Sequence, residues 1–197
     1  GGFGTGFLEV VEKKFEEKYA KKILDETKKK KCDKYFAIVS VGNDTASKSY
    51  IKGKMKDCEY CGIPYLHKHF DCDTTEDELY QSILNLSYDS NLSSIIMQLP
   101  LPENYNEEYL ISAIHYAKDV DGFRQHSPFK PCTPEGIVYL LKKELGNLTG
   151  KTVLIIGRGK LVGKPLFDML LEENCTVTMA HSKTKNLKEL CRSADIL

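Results

Sequence analysis

Tyr50 and Lys54 stand four residues apart. On a helix they share one face and present an aromatic ring and an amine to the same ligand. Gln98 lies just before Pro100-Leu-Pro102, and Asp119 and Asp121 flank a valine before Gly122. An amine, an amide and carboxylates at the ends of strands are groups that can bind and protonate a polar substrate, because open α/β sheets bind ligands in the crevice beyond their strand ends. Each residue also has a plainer reading: Tyr50 as the edge of a core, Lys54 as solvated surface, Asp121 as a turn residue. A second constellation is Gly157-Arg-Gly159-Lys-Leu-Val-Gly163. Glycines between a strand and a helix permit a tight turn and let backbone N–H groups approach a pyrophosphate at the helix start. The spacing, GxGxxxG, is one residue longer than the usual dinucleotide fingerprint, so the strand–loop–helix–strand context carries the reading. The alternative is a tight turn with no ligand. At the end of the next strand an acidic residue would hydrogen-bond the ribose of NAD. This chain has His181-Ser-Lys-Thr184 there instead. Arg158, Ser182 and Lys183 suit a 2′-phosphate through charge-assisted hydrogen bonds, which favours NADP.

Cys58-Glu-Tyr-Cys61 is a CxxC, followed by His67, His69 and Cys72. Zinc is conceivable, but there is no second CxxC and the pair falls within a helical pattern, so reduced buried thiols and no metal are expected. The seven cysteines are odd in number and irregularly spaced, unlike an oxidised secreted framework.

The elements that must position these groups follow from pattern. Apolar residues recur at helical spacing from Leu8 to Leu24, and the basic run Lys28–Lys31 sits at that helix's C-terminal end, where cations suit the dipole. Strands are expected at Tyr35–Val41, Tyr65–Phe70, Ser94–Leu99, Lys151–Ile156 and Cys175–Ala180, with another starting at Ala194–Leu197. Helices are expected at about Ala46–Cys61, from the capping box Thr75–Glu78 through Leu86, at Asn106–Tyr116, from Thr133-Pro134 through Leu145, from the glycine loop to about Asn174, and at Asn186–Arg192. Strands alternating with helices imply βαβ units and a parallel sheet, hence an α/β fold. Residues 123–132 read as an irregular linker. Residues 1–7 read as a flexible leader or cloning scar.

The 197 residues are 41% hydrophobic, with 28 basic and 28 acidic side chains. At about 150 residues per domain that length allows one domain or two small ones. A net charge of zero gives no general basic field for nucleic acid or an anionic membrane. No apolar run approaches the roughly 18–20 residues that span a bilayer. A cytoplasmic globular protein is expected.

Val41-Gly-Asn-Asp-Thr-Ala-Ser47 with Tyr50 and Lys54, Gln98-Leu-Pro-Leu-Pro102, Lys118-Asp-Val-Asp-Gly-Phe123, Pro131-Cys-Thr-Pro134, Gly157-Arg-Gly-Lys-Leu-Val-Gly-Lys-Pro165 and His181-Ser-Lys-Thr184 occur in this order. Together they resemble the bifunctional methylenetetrahydrofolate dehydrogenase/methenyltetrahydrofolate cyclohydrolase family over roughly Leu8 to Leu197. The resemblance implies a folate-binding catalytic domain at 8–130 and a Rossmann-type NADP-binding domain at 131–197. It further implies that the second domain is partial at its C-terminal end, because family members continue with more strands, and that a cleft lies between the two. It implies oxidation of methylenetetrahydrofolate to the methenyl form and hydrolysis to 10-formyltetrahydrofolate. Lys54 would be the general acid/base, Gln98 its orienting partner, Tyr50 the stacking surface for folate, and Asp121 the partner of the pterin amino edge. Gly157, Arg158, Gly159 and Ser182 would hold NADP. Such a lysine needs burial or a neighbour to bring its pKa toward neutrality. Gly159 stands where the family usually has serine, and residues 123–131 are shorter than the family loop. No metal and a homodimer are implied. The alternatives are a dehydrogenase-only member or a non-catalytic folate- or nucleotide-binding module.

Overall fold

The structure is a computed structural model that describes residues 19–124 and 126–197. The expected leader and the start of the first expected helix lie outside the described residues. The chain divides into two compact units, one ending at Asp119 and the other spanning Val120–Leu197.

In the first unit, helix α1 (Lys21–Lys28) is followed by β1 (Tyr35–Val41), α2 (Thr45–Cys61), β2 (Tyr65–Phe70), α3 (Glu76–Tyr88), β3 (Leu92–Met97), α4 (Glu107–Ser112) and a 3₁₀ turn at Tyr116–Lys118. The three strands are parallel in the order β2-β1-β3. The continuous apolar run of β1 is explained by its central place: Ala37, Ile38 and Val39 are wholly buried. A parallel strand covered on both faces cannot alternate. Helix α2 starts where the Asp44 carboxylate accepts from the Ser47 N–H at 2.6 Å, and it closes at Gly62 in the left-handed region. The capping box is present: Glu78 N donates to Thr75 Oγ1 while the Glu78 carboxylate accepts from Thr75 N. The apolar stripe of α3 buries Leu79, Ile83 and Leu86, and full burial of each such side chain is worth about 1.5–3 kcal/mol.

Three elements differ from the sequence pattern. Helix α3 runs to Tyr88, two residues beyond the expected Leu86. Strand β3 begins two residues earlier and ends two earlier than Ser94–Leu99, because Leu92 pairs with Tyr35 across a register irregularity. The expected helix 106–116 is broken after Ser112. The buried Ser87 hydroxyl donates to Ala113 O at 2.9 Å and accepts from His115 N at 3.0 Å. Those backbone groups are therefore diverted from the helical ladder, and a side chain outside the helix satisfies them.

In the second unit, α5 (Cys132–Leu145), β4 (Thr152–Ile156), α6 (Gly163–Glu172), β5 (Thr176–Ala180) and α7 (Leu187–Ser193) follow in order. Thr133 is not an N-cap: the helix already starts at Cys132, and Thr133 and Pro134 lie in its first turn, where proline's missing N–H costs nothing. β4 and β5 pair in parallel from Thr152↔Thr176 to Ile156↔Ala180. The expected strand at 194–197 is a single bridge, Val153↔Ile196, on the other side of β4. Val138, Leu148, Val153, Ile155, Leu166, Met169, Leu170 and Cys175 form this unit's core. Among the described residues no helix is long and apolar enough to cross a membrane.

Candidate active site

In the first unit, β1–β3 pairing brings together two residues that are 44 apart in sequence. Lys54 Nζ, on the half-buried side of α2, donates to Gln98 Oε1 at 2.9 Å. Gln98 is only 8% exposed and is held at three points. Its backbone N donates to Val39 O at 2.8 Å, its Nε2 donates to Leu99 O at 2.8 Å, and its Oε1 accepts from Lys54. Only this orientation of the amide satisfies both neighbours, since lysine cannot accept and a carbonyl cannot donate. The amide therefore fixes the lysine, and the lysine is not a merely solvated surface group. One turn back along α2, Tyr50 is 67% exposed, which leaves its ring free to stack and excludes its reading as a core edge.

Asp121 falls in the second unit by the division at Asp119. The next residue, Gly122, has φ +66°, and a Cβ there would meet Phe129 O at 2.5 Å. Only glycine permits that turn, which follows directly on Asp121. Asp119, read from sequence as a loop carboxylate, is 1% exposed and bridges to Ile95 beside β3. It is a structural part of the first unit.

The glycine loop leaves the C-terminal end of β4. Gly157 has φ +126° and its N–H donates to Ala180 O at 2.8 Å. A Cβ on Gly163 would collide with the Gly157 carbonyl, whereas nothing lies within 4 Å of one on Gly159. The loop is thus folded tightly against its own helix start, while its outer rim is open for a bulky ligand to approach. Fitting a pyrophosphate needs both features. Ile156 and Ala180 are register partners, so Arg158 and Ser182 leave neighbouring parallel strands at the same end, and both are exposed. Ser182 sits in a turn closed by Thr184 N to His181 O at 2.8 Å and His181 N to Thr184 Oγ1 at 2.9 Å. These residues fit a nucleotide bearing a 2′-phosphate. Gly159 contributes no hydroxyl.

The CxxC lies on α2. Cys58 and Cys61 are buried, all seven cysteines are free, and burial chiefly raises both α2 thiols. A raised thiol is a poor nucleophile and a poor metal ligand at neutral pH. Among the described residues no three His, Cys, Asp or Glu side chains converge as a metal set.

Sequence pattern missed a cluster on the other flank of α2. His67 and His69 stand two apart on β2, so they share a face with Ser40 of β1, whose register partner is His69. Ser40 Oγ lies 2.9 Å from His67 Nε2 and 3.1 Å from His69 Nδ1. Burial, then the charge of His69, lowers the pKa of His67. The alternation His-Lys-His was the available signal; the partnering serine is 27 residues away and only strand register supplies it.

Residues 9–121 match the family described as tetrahydrofolate dehydrogenase/cyclohydrolase, catalytic domain, and residues 131–197 match its NAD(P)-binding domain. A bifunctional protein FolD of Agathobacter rectalis is 44% identical over 186 residues, covering 90% of this chain and 67% of the relative. A second, from Bacillus cytotoxicus, is 45% identical over 170 residues, covering 82% and 59%. The chain thus spans 59–67% of the length of these two curated relatives. Among solved structures, the bifunctional FolD methylenetetrahydrofolate dehydrogenase/cyclohydrolase of Campylobacter jejuni matches with TM-score 0.86 and 37% identity, over 90% of this chain and 69% of that one. A 5,10-methylenetetrahydrofolate dehydrogenase from the silkworm, Bombyx mori, matches with TM-score 0.84 and 31% identity, over 90% and 71%.

Proposed function

The chain belongs to the tetrahydrofolate dehydrogenase/cyclohydrolase family, and from that premise we propose that it carries out NADP-dependent oxidation of methylenetetrahydrofolate to methenyltetrahydrofolate and hydrolysis of the product to 10-formyltetrahydrofolate. The observation that carries this reading is the Lys54–Gln98 hydrogen bond of 2.9 Å. A residue needed only for hydride transfer would not require a buried amide to aim an amine.

Tyr50 offers its exposed ring to the flat aromatic part of the folate, and Asp121 pairs with the amino edge of the pterin. NADP, when bound, supplies the hydride acceptor. Gly157 makes the turn, its own N–H being held by Ala180 O, and Gly159 brings a backbone N–H to the pyrophosphate, while Arg158 and Ser182 hold the 2′-phosphate. In the second reaction water adds to the methenyl carbon, a proton leaves that oxygen, and a proton must reach the ring nitrogen as the C–N bond opens. Lys54 moves that proton, and Gln98 holds Nζ in place so that its lone pair and N–H are aimed. The reading includes a homodimer, a cytoplasmic location and a supply of one-carbon units of the kind purine synthesis consumes; all three rest on the family resemblance. Retention of Tyr50, Lys54 and Gln98 together favours the bifunctional reading over a dehydrogenase-only member.

The test follows methenyltetrahydrofolate absorbance after mixing the protein with methylenetetrahydrofolate and NADP. The expected trace rises and then decays faster than the uncatalysed control. In Lys54→Ala the accelerated decay is lost and the thermal melt is unchanged. Persistent decay in that variant removes Lys54 from the mechanism. No rise from a folded sample overturns the dehydrogenase assignment and leaves the binding-module reading.

A further inference from the structure

Beneath α2 the first unit holds a cavity of about 370 Å³, within the range of small-molecule sites. Neither Tyr50 nor Lys54 lines it; Gln98 is the wall it shares with the site described above. Its walls combine three kinds of group. Val41, Ile51 and Met55 supply apolar surface. Lys48 and Lys52 stand exposed at the rim. They are four residues apart on one helix face, a spacing at which like charges repel, and among the described residues neither has an ion-pair partner.

The third group is the Ser47 hydroxyl. Ser47 is 8% exposed, and its Oγ is buried without a hydrogen bond in the fold. The neighbouring Asp44 carboxyl is held below its usual range chiefly by the Ser47 backbone N–H, which donates to it at 2.6 Å; the hydroxyl itself has no hydrogen-bond partner in the fold. Asp44 thereby caps the helix itself, so the start of α2 is not what remains available to a ligand. A buried hydroxyl left unpaired is costly unless something enters to pair with it. The Ser40 hydroxyl, by contrast, is already engaged by His67 and His69.

We propose that this cavity is a second small-molecule site, for an organic acid with a rigid apolar body. Its carboxylate lies at Lys48 and Lys52, its body lies against Val41, Ile51 and Met55, and a polar atom at its far end pairs with Ser47 Oγ. Five residues of helix separate Ser47 from Lys52, about 7.5 Å along the axis. A single substituted ring can span that distance. Ser40, Asn43, Asp44, His67 and His69 also line the cavity, with Ser40 already engaged by the two histidines; the apolar surface at Val41, Ile51 and Met55 suits a ring better than a phosphate. The site stands independently of the folate reading.

The probe is 4-hydroxybenzoate, titrated into the isotope-labelled full chain and followed by amide shifts at Asn43, Ser47 and Ile51. Benzoate lacks the far polar atom and phenol lacks the carboxylate. Saturable binding with a Kd of about a millimolar is expected for a ligand of this size, with benzoate and phenol each weaker by about tenfold. Ser47→Ala reduces 4-hydroxybenzoate to the level of benzoate, and the double variant Lys48→Gln, Lys52→Gln reduces it to the level of phenol. Tyr50→Ala leaves all three unchanged. Melting curves of each variant verify that it folds, and the lysine pair keeps the test intact if Ser47→Ala does not. Absence of saturation, phenol binding as tightly as the acid, or indifference to the lysine pair overturns the proposal. Competition by saturating 5-formyltetrahydrofolate does so too, because it would make the cavity part of the folate site.

Discussion

Gln98→Ala removes an amide that is 8% exposed and carries two side-chain hydrogen bonds. The bond from Nε2 to Leu99 O is between neutral groups, worth about 0.5–1.5 kcal/mol net. The bond from Lys54 is charge-assisted, but Lys54 is only half-buried, so water replaces much of it and its net share falls to about 0.5–1 kcal/mol. The loss of stability is therefore about 1–2.5 kcal/mol, read as a shift of the first unit's denaturant midpoint. The effect on rate is separate. General acid/base assistance is worth about 10²–10⁴-fold, and losing the orientation of the base without losing the base itself should cost about 10- to 100-fold. Hydrolysis of methenyltetrahydrofolate, followed by absorbance, should thus show kcat falling by that factor with a smaller change in KM. Gln98→Glu separates orientation from charge. It keeps an acceptor for Lys54, but its carboxylate stabilises the ammonium, so the pH–rate profile moves to higher pH and activity returns there. Unaltered hydrolysis in Gln98→Ala would refute the reasoning, and so would a Gln98→Glu profile that does not move.

Arg158→Ala should weaken NADP binding by about 1–3 kcal/mol, the scale of a lost charged hydrogen bond, and barely affect NAD; equal losses in calorimetric titrations with the two nucleotides would contradict the phosphate assignment. His67 makes stability depend on pH. Its folded pKa lies below the ordinary 6.5 because burial, and then the charge of His69, disfavour the imidazolium. Below about pH 6.5 the unfolded chain therefore binds more protons than the folded one, and the stability present at neutral pH is lost as pH falls through the folded value. Urea midpoints of the first unit should drop from about pH 7.5 to about pH 5.5 and drop less in His67→Asn; an equal drop in that variant would assign the effect to other groups.

Much of the fold was legible because its signals are local. Asp44, Thr75 with Glu78, and Gly62 are caps whose partners lie within four residues; they start α2 and α3 within a residue of the expected positions and stop α2 at Gly62, whereas α3 runs two residues past the expected Leu86. The run Tyr35–Val41 reads as a buried strand because a central parallel strand has no solvent side. The glycine loop and the His181–Thr184 turn are likewise short-range features, and each lies at the end of an expected strand. The break after Ser112 was not legible. The helical pattern continues through 116, but the hydroxyl that interrupts it belongs to Ser87, on another helix.

The candidate site divides along the same line. Sequence by itself determined that Tyr50 and Lys54 share a face, because 3.6 residues per turn leave no choice once α2 forms. It also determined that no carboxylate waits at the end of β5 for a ribose. Only the tertiary structure decided that Gln98 aims Lys54, since that contact depends on β3 pairing with β1 in one register. A separate parallel bridge to Ile95 of β3 buries Asp119 and makes it a structural residue of the first unit. Parallel register with β2 seats both histidines on Ser40 and, with the helix above them, closes the cavity under α2. A residue's type and its neighbours within a turn are written in the chain, but a partner tens of residues away is chosen by sheet order and register, which arise only when the strands meet.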